Sequence, residues 1–161
     1  MSTAQHDFDF LPGNWRIRNQ RLSPYLSENQ QWEEFEASQT VSVLPGGIGN
    51  FDDFVAPEWR PGFVGMSLRI YNPQTDLWSI YWLDNRSGGL NEQGQLSAPV
   101  VGRFTGSSGL FEGDDVINDI AVRVQYRWQV IDADHASWEQ AMSRDDGKSW
   151  EVNWRMAMQR V

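Results

Sequence analysis

No cysteine occurs in the 161 residues, which excludes thiol nucleophiles, thiolate metal ligands and disulfides together. Long apolar runs are missing too, and a membrane-spanning helix needs about 18 or more such residues in succession. The opening "MSTAQHDFDF" has neither the basic start nor the apolar stretch of a secretion signal, so the chain reads as cytoplasmic with no membrane partner. Positive charge is scarce: 13 Lys and Arg stand against 22 Asp and Glu, for a net charge of −9. Such a field repels phosphate backbones, and the densest basic group, Arg16, Arg18 and Arg21, is offset soon afterwards by "ENQQWEEFE". Nucleic acid is therefore not an expected partner.

Histidine is nearly absent as well. His6 lies in an N-terminus expected to be mobile and His135 in a turn, with no HxH or HExxH spacing, so no metal site is expected. Phosphate-binding loops, dinucleotide fingerprints and the Gly-x-Ser-x-Gly elbow are all missing, and no cofactor follows from the motifs present. Internal repeats, low-complexity segments and linkers are not seen, which predicts a single domain over 1–161.

Helical periodicity is almost lacking, and what replaces it is alternation. In "IAVRVQYRWQVI", Ile120, Val122, Val124, Tyr126, Trp128 and Val130 alternate with small or polar residues, giving one apolar and one wet face. "MSLRIYNPQTDLWSIYWLD" predicts a hairpin turning at Asn72-Pro73, with Met66, Leu68, Ile70, Trp78, Ile80 and Trp82 on one face and Asp84 at its end. Ten strands are predicted, at about 14–22, 31–44, 49–56, 63–72, 77–84, 98–105, 109–115, 120–132, 136–144 and 149–160. Strands in simple hairpin order are best satisfied by closure, which removes unpaired edges. The expected fold is thus all-β: one up-and-down antiparallel barrel of about ten strands, wide enough to leave an internal cavity. A two-sheet sandwich is the runner-up.

The richest stretch is "SWEQAMSRDDGKSWEVNW", which sets Glu139 among three tryptophans. A turn at Asp132 to His135 pairs Trp128 with Glu139, and a turn at Asp145-Asp146-Gly147 pairs Glu139 with Trp154; both registers aim Glu139 inward. An interior carboxylate needs a partner or must become neutral. Arg21 and Asn19 are expected on the inner face of the first strand, and Gln39 with Asp53 across the Gly46-Gly47 turn. Nine tryptophans and 13% aromatic residues suit the walls of a site for a flat molecule. "SRDDGKSW" fits the Asp-box turn, whose residues are accounted for by turn geometry alone. Glu34 and Glu36 of "EEFE" are expected on a solvated face, and a Glu–Arg pair at Glu139 has a purely structural reading as well.

"LPGNW" matches the Gly-x-Trp that opens the first strand of calycin barrels. "WEEFEA", "LPGGIGNFDDF", "LRIYNPQTDLWSIYWLDNRSGGL", "PVVGRF", "SWEQAMS" and "DDGKSWEVNW", together spanning most of the chain, resemble a bacterial family of calycin-like domains with no established activity. The resemblance implies a lipocalin- or fatty-acid-binding-protein-like barrel in which Arg155 or Arg160 packs over Trp15. Three functional readings follow. A binding module would hold a small apolar or aromatic molecule against Trp82, Tyr126, Trp128 and Trp154, oriented by Glu139, Arg21, Gln39 and Asp53. A cofactor-independent isomerase, cyclase or lyase would use Glu139 as catalytic acid or base. A haem-binding barrel, by analogy with nitrobindin-type calycins, would use His135. Outward Tyr71, Leu77, Tyr81 and Leu83 suggest a homodimer.

Overall fold

The computed structural model describes residues 4–161. Ten antiparallel strands close into one barrel: β1 Gly13–Ser23, β2 Gln31–Val43, β3 Gly49–Val55, β4 Val64–Asn72, β5 Leu77–Asp84, β6 Val100–Thr105, β7 Ser108–Ile117, β8 Ile120–Val130, β9 His135–Ser143 and β10 Glu151–Arg160. Each strand pairs with its neighbours in sequence, and β1 pairs with β10, so no edge is left open. The sandwich is thereby excluded. No helix among the described residues is long and apolar enough to cross a membrane.

Strand direction defines two ends. β1 starts at the lower end and finishes at the upper one, so the β2–β3, β4–β5, β6–β7 and β8–β9 turns lie below. The N-terminal segment is not the mobile tail expected of it. Ala4–His6 forms a short 3-10 helix, and the chain then crosses the lower end, with Phe8 and Leu11 fully buried. Phe8 meets Trp78, Phe104, Phe111 and Trp128 at ring separations of 5.0, 5.3, 5.6 and 5.6 Å. Phe8 and the chain around it serve as a plug.

Hydrogen bonds hold that plug in place. The Trp15 indole N–H donates to the Leu11 carbonyl at 2.7 Å and the Trp78 indole N–H to the Ala4 carbonyl. Arg160, not Arg155, packs over Trp15, with its guanidinium carbon 4.4 Å from the ring centre, and it donates to the carbonyls of Pro12 and Phe10. Gly13 has φ 126°, and a Cβ there would stand 2.7 Å from Arg160 Nη1, so glycine makes room for this clasp.

The Asp-box turn forms as its residues dictate. Ser143 Oγ accepts the Gly147 N–H, while Asp145 accepts the Ser149 N–H at 2.8 Å and its hydroxyl, and Trp150 donates to the Gly147 carbonyl. Donation from the Ser149 hydroxyl and N–H holds the Asp145 carboxyl down at about 2.

Three inner faces differ by one residue from those read in the sequence. In β3, Asp52 and Phe54 point inward and Asp53 outward, because Val43 pairs with Asn50 around a 3-10 turn over Pro45–Gly47. Asp53 instead accepts the Thr40 N–H on the outer face. In β4, Gly65, Ser67, Arg69 and Tyr71 face Asp84, Trp82, Ile80 and Trp78, which turns Met66, Leu68 and Ile70 outward. That strand is inside out, with an arginine within and aliphatic side chains without. Tyr71, expected on the outer surface, packs against Trp78 at 5.7 Å.

The third difference concerns Glu139. Five residues separate Val130 from Ala136, so Trp128 pairs with Trp138 and Arg127 with Glu139. On the other side a bulge between Val152 and Trp154 shifts the register, and Glu139 pairs with Arg155 although Ala141 still pairs with Val152. Glu139 therefore points outward, 3.0 Å from Arg127 Nη1 and 3.9 Å from Arg155 Nε. Glu34 and Glu36 are exposed, in agreement with expectation.

Candidate functional site

Above the plug the barrel encloses a cavity of about 290 Å³, at the small end for ligand sites. Its lining side chains come from every strand but β6, because each strand points alternate residues at the lumen. Nine aromatic residues line it: Tyr25, Phe54, Trp59, Phe63, Trp82, Tyr126, Trp128, Trp138 and Trp154. Gly65 allows the Trp82 indole to lie across β4, since a Cβ at Gly65 would come within 2.3 Å of that ring.

The upper rim is basic and aromatic. Arg21, on β1, donates to Glu33 at 3.0 Å and to the Tyr25 hydroxyl at 3.0 Å, and stands 5.4 Å from the Trp154 ring centre. Trp59, from the β3–β4 connection, folds back over the opening and stacks on Phe35 at 4.1 Å with ring planes 2° apart. Arg60 stacks on Trp59, its guanidinium carbon 4.0 Å from the ring centre, and lines the cavity as well. Partial burial, with Arg21 close by, lowers the Arg60 pKa from its ordinary value, so a bound anion would be welcome there. Asp84 also reaches the rim; burial opposes its charge, but donation from Ser87 and the Arg86 N–H outweighs that and keeps its carboxyl below the usual range.

Lower down, the lumen becomes polar at a few points. Arg69 bridges Asn50 at 2.8 Å and Asp52 at 2.6 Å, all three buried. Gln39 and Gln140 line the wall, Gln140 donating to Asn153 at 2.9 Å. Burial pushes the Tyr126 phenol well above its ordinary range, so it stays protonated at neutral pH.

Of the residues singled out in the sequence, Arg21, Gln39, Trp82, Tyr126, Trp128 and Trp154 line this cavity, while Asp53 and Glu139 do not. Glu139 instead borders a charged outer groove shared with Arg18, Arg127 and Arg155. Both histidines also lie outside the cavity, His6 against Asp9 and His135 against Asp132, so the haem reading has no interior imidazole. Arg69, Trp59 and Arg60 escaped the sequence reading: the first sits on an inverted strand and the other two in a connection. "EWRPGF" gave the one available sign, a tryptophan beside arginine in a segment with no strand to justify it.

These features define a calycin-like barrel with an aromatic-walled interior. Among solved structures, an S-type phycobiliprotein lyase from Guillardia theta superposes with a TM-score of 0.63 at 11% sequence identity, over 100% of this chain and 93% of that one. The likeness is one of fold. No protein-family model and no curated protein matches the chain in sequence.

Proposed function

We propose that the barrel binds a small, flat, mainly apolar or aromatic molecule in its interior, with an acidic group held at the rim by Arg60 and Arg21. The observation that carries this reading is the cavity itself, walled by nine aromatic rings and ringed above by guanidinium groups. Five of the nine tryptophans line it, so occupancy should quench much of the intrinsic fluorescence.

Titration with anilinonaphthalene sulfonate and its uncharged relative N-phenyl-naphthylamine tests the reading. Both should bind saturably at one site per chain. Replacing half-buried Arg60 by glutamine should weaken the sulfonate about tenfold, the lower range for a charge-assisted hydrogen bond, and leave the amine within about twofold. Absence of saturable binding in the wild type would defeat the proposal.

A second reading, lyase-type or isomerase chemistry, draws support from the name of the fold neighbour. Glu139 is not its acid or base, since it lies outside the lumen; burial makes the Tyr126 phenol a weaker acid than free tyrosine, so it can hydrogen-bond a ligand oxygen but gives up its proton less readily.

Self-association belongs to the outer surface of β3, β4 and β5. Phe51, Leu68 and Tyr81 form one cross-strand row, and Met66 with Leu83 the next. The Phe51, Leu68 and Tyr81 row itself carries no charge, and Asp53 stands beside it at the β3 end of the Met66 row, so an isologous contact centred on the first row leaves the two Asp53 carboxylates at its margin. A homodimer is expected by light scattering at high micromolar concentration, and Leu68→Glu should return it to monomer; a wild-type monomer would exclude this arrangement.

A further inference from the structure

We propose that the closed, lower part of the cavity is a subsite for an uncharged acceptor oxygen, a conjugated carbonyl on the ligand, bound by the Arg69 Nε–H and the Trp128 indole N–H. This deepens the binding function proposed above and rests on it. Arg69 and Trp128 are 2% and 6% exposed, and both line the cavity. The two Nη atoms of Arg69 are committed to Asn50 and Asp52, yet its Nε has no partner, and neither does the Trp128 Nε1. The two groups are neighbours, with the Arg69 guanidinium carbon 5.7 Å from the Trp128 ring centre, and both rest on the Phe8 plug. Buried donors left without acceptors are rare and destabilising, so a pair of them on neighbouring residues that line one lumen signals something that accepts.

The environment also selects the kind of acceptor. Asp52 already neutralises Arg69, so a second anion at this depth would meet a carboxylate with only one guanidinium to share. A neutral carbonyl satisfies both N–H groups without that conflict. Gln39, whose Oε1 is buried and also unpartnered, faces the same cavity and can turn its amide N–H or oxygen toward a second polar atom of the ligand. The ligand class is thus a flat aromatic or conjugated ketone, quinone or lactam that enters carbonyl first and leaves any acidic group at the arginine rim.

Fluorenone and fluorene share one shape and differ by the carbonyl oxygen, which makes them the probes. By displacement of anilinonaphthalene sulfonate, fluorenone should bind at least about tenfold more tightly than fluorene, the effect of one or two buried hydrogen bonds. Its carbonyl stretch should move to lower frequency on binding. Trp128→Phe keeps a ring and removes the N–H; it should shrink both the ratio of fluorenone to fluorene affinity and the frequency shift, each read within the variant and so independent of any change in the wall's affinity for fluorene. Equal affinities in the wild type, or a gap unchanged in Trp128→Phe, overturn the subsite alone. If neither hydrocarbon nor ketone displaces a dye that itself binds, the subsite falls alone; if the dye does not bind, the binding function falls with it.

Discussion

Arg69→Met is expected to destabilise the protein by about 3–5 kcal/mol, because it leaves Asp52 as an uncompensated charge in the barrel wall. Asp52 is 1% exposed, and its second oxygen accepts the Ser67 N–H at 3.0 Å, so it has no route to solvent without unpairing β3 from β4. Asn50 would lose its donor at the same time. Most of the loss should return in Arg69→Met/Asp52→Asn, where the side chain that remains is neutral and still accepts from Ser67. Urea denaturation followed by tryptophan fluorescence measures both. A single variant within about 1 kcal/mol of wild type would mean that water reaches Asp52, and that the lower cavity is wetter than its burial implies.

The same pair explains where the sequence could and could not be read. Ten strands and their order were visible because period-two alternation is a local property that needs no partner to recognise it. Boundaries fell within one or two residues in most strands, and closure followed from hairpin order alone. Which face looks inward is a different question, since it depends on how many residues each turn contains and on bulges that alternation does not reveal. Glu139 and Asp53 were both placed one residue off for that reason: five residues lie between Val130 and Ala136, and Val43 meets Asn50 around a 3-10 turn. Arg127 and Arg155, directly opposite Glu139 on the outer face, were the available clue to its true direction.

In β4 the misreading had a deeper cause. Aliphatic Met66, Leu68 and Ile70 look like the core face by hydrophobicity, yet Ser67 and Arg69 occupy the lumen. A strand that breaks the apolar-in rule is using its inner face for something other than packing and its outer face for something other than solvation. The buried cation and the apolar outer row are the two consequences, and each carries one of the proposals above. By contrast Trp82, Tyr126, Trp128 and Trp154 were placed correctly because aromatic residues on these strands alternate in step with the pleat.

Phe8→Ala should cost about 3–5 kcal/mol, the range for a large aromatic side chain removed from a close-packed site. The ring touches residues from β5, β6, β7 and β8, so its loss leaves a hole bounded by four strands that cannot collapse together without breaking the barrel. Undocking the segment instead would limit the loss, but that route breaks the hydrogen bonds from Trp15, Trp78 and Arg160 and the one that Asp7 accepts from the Phe104 N–H at 2.8 Å. Leu11, fully buried, would also be released to solvent. The segment therefore stays in place beneath a cavity enlarged downward, below Arg69 and Trp128. Hydrogen exchange separates the alternatives: amides of residues 4–11 that remain protected alongside a large global loss fit a docked plug, whereas rapid exchange confined to that segment with little global loss would mean that the barrel floor holds without it.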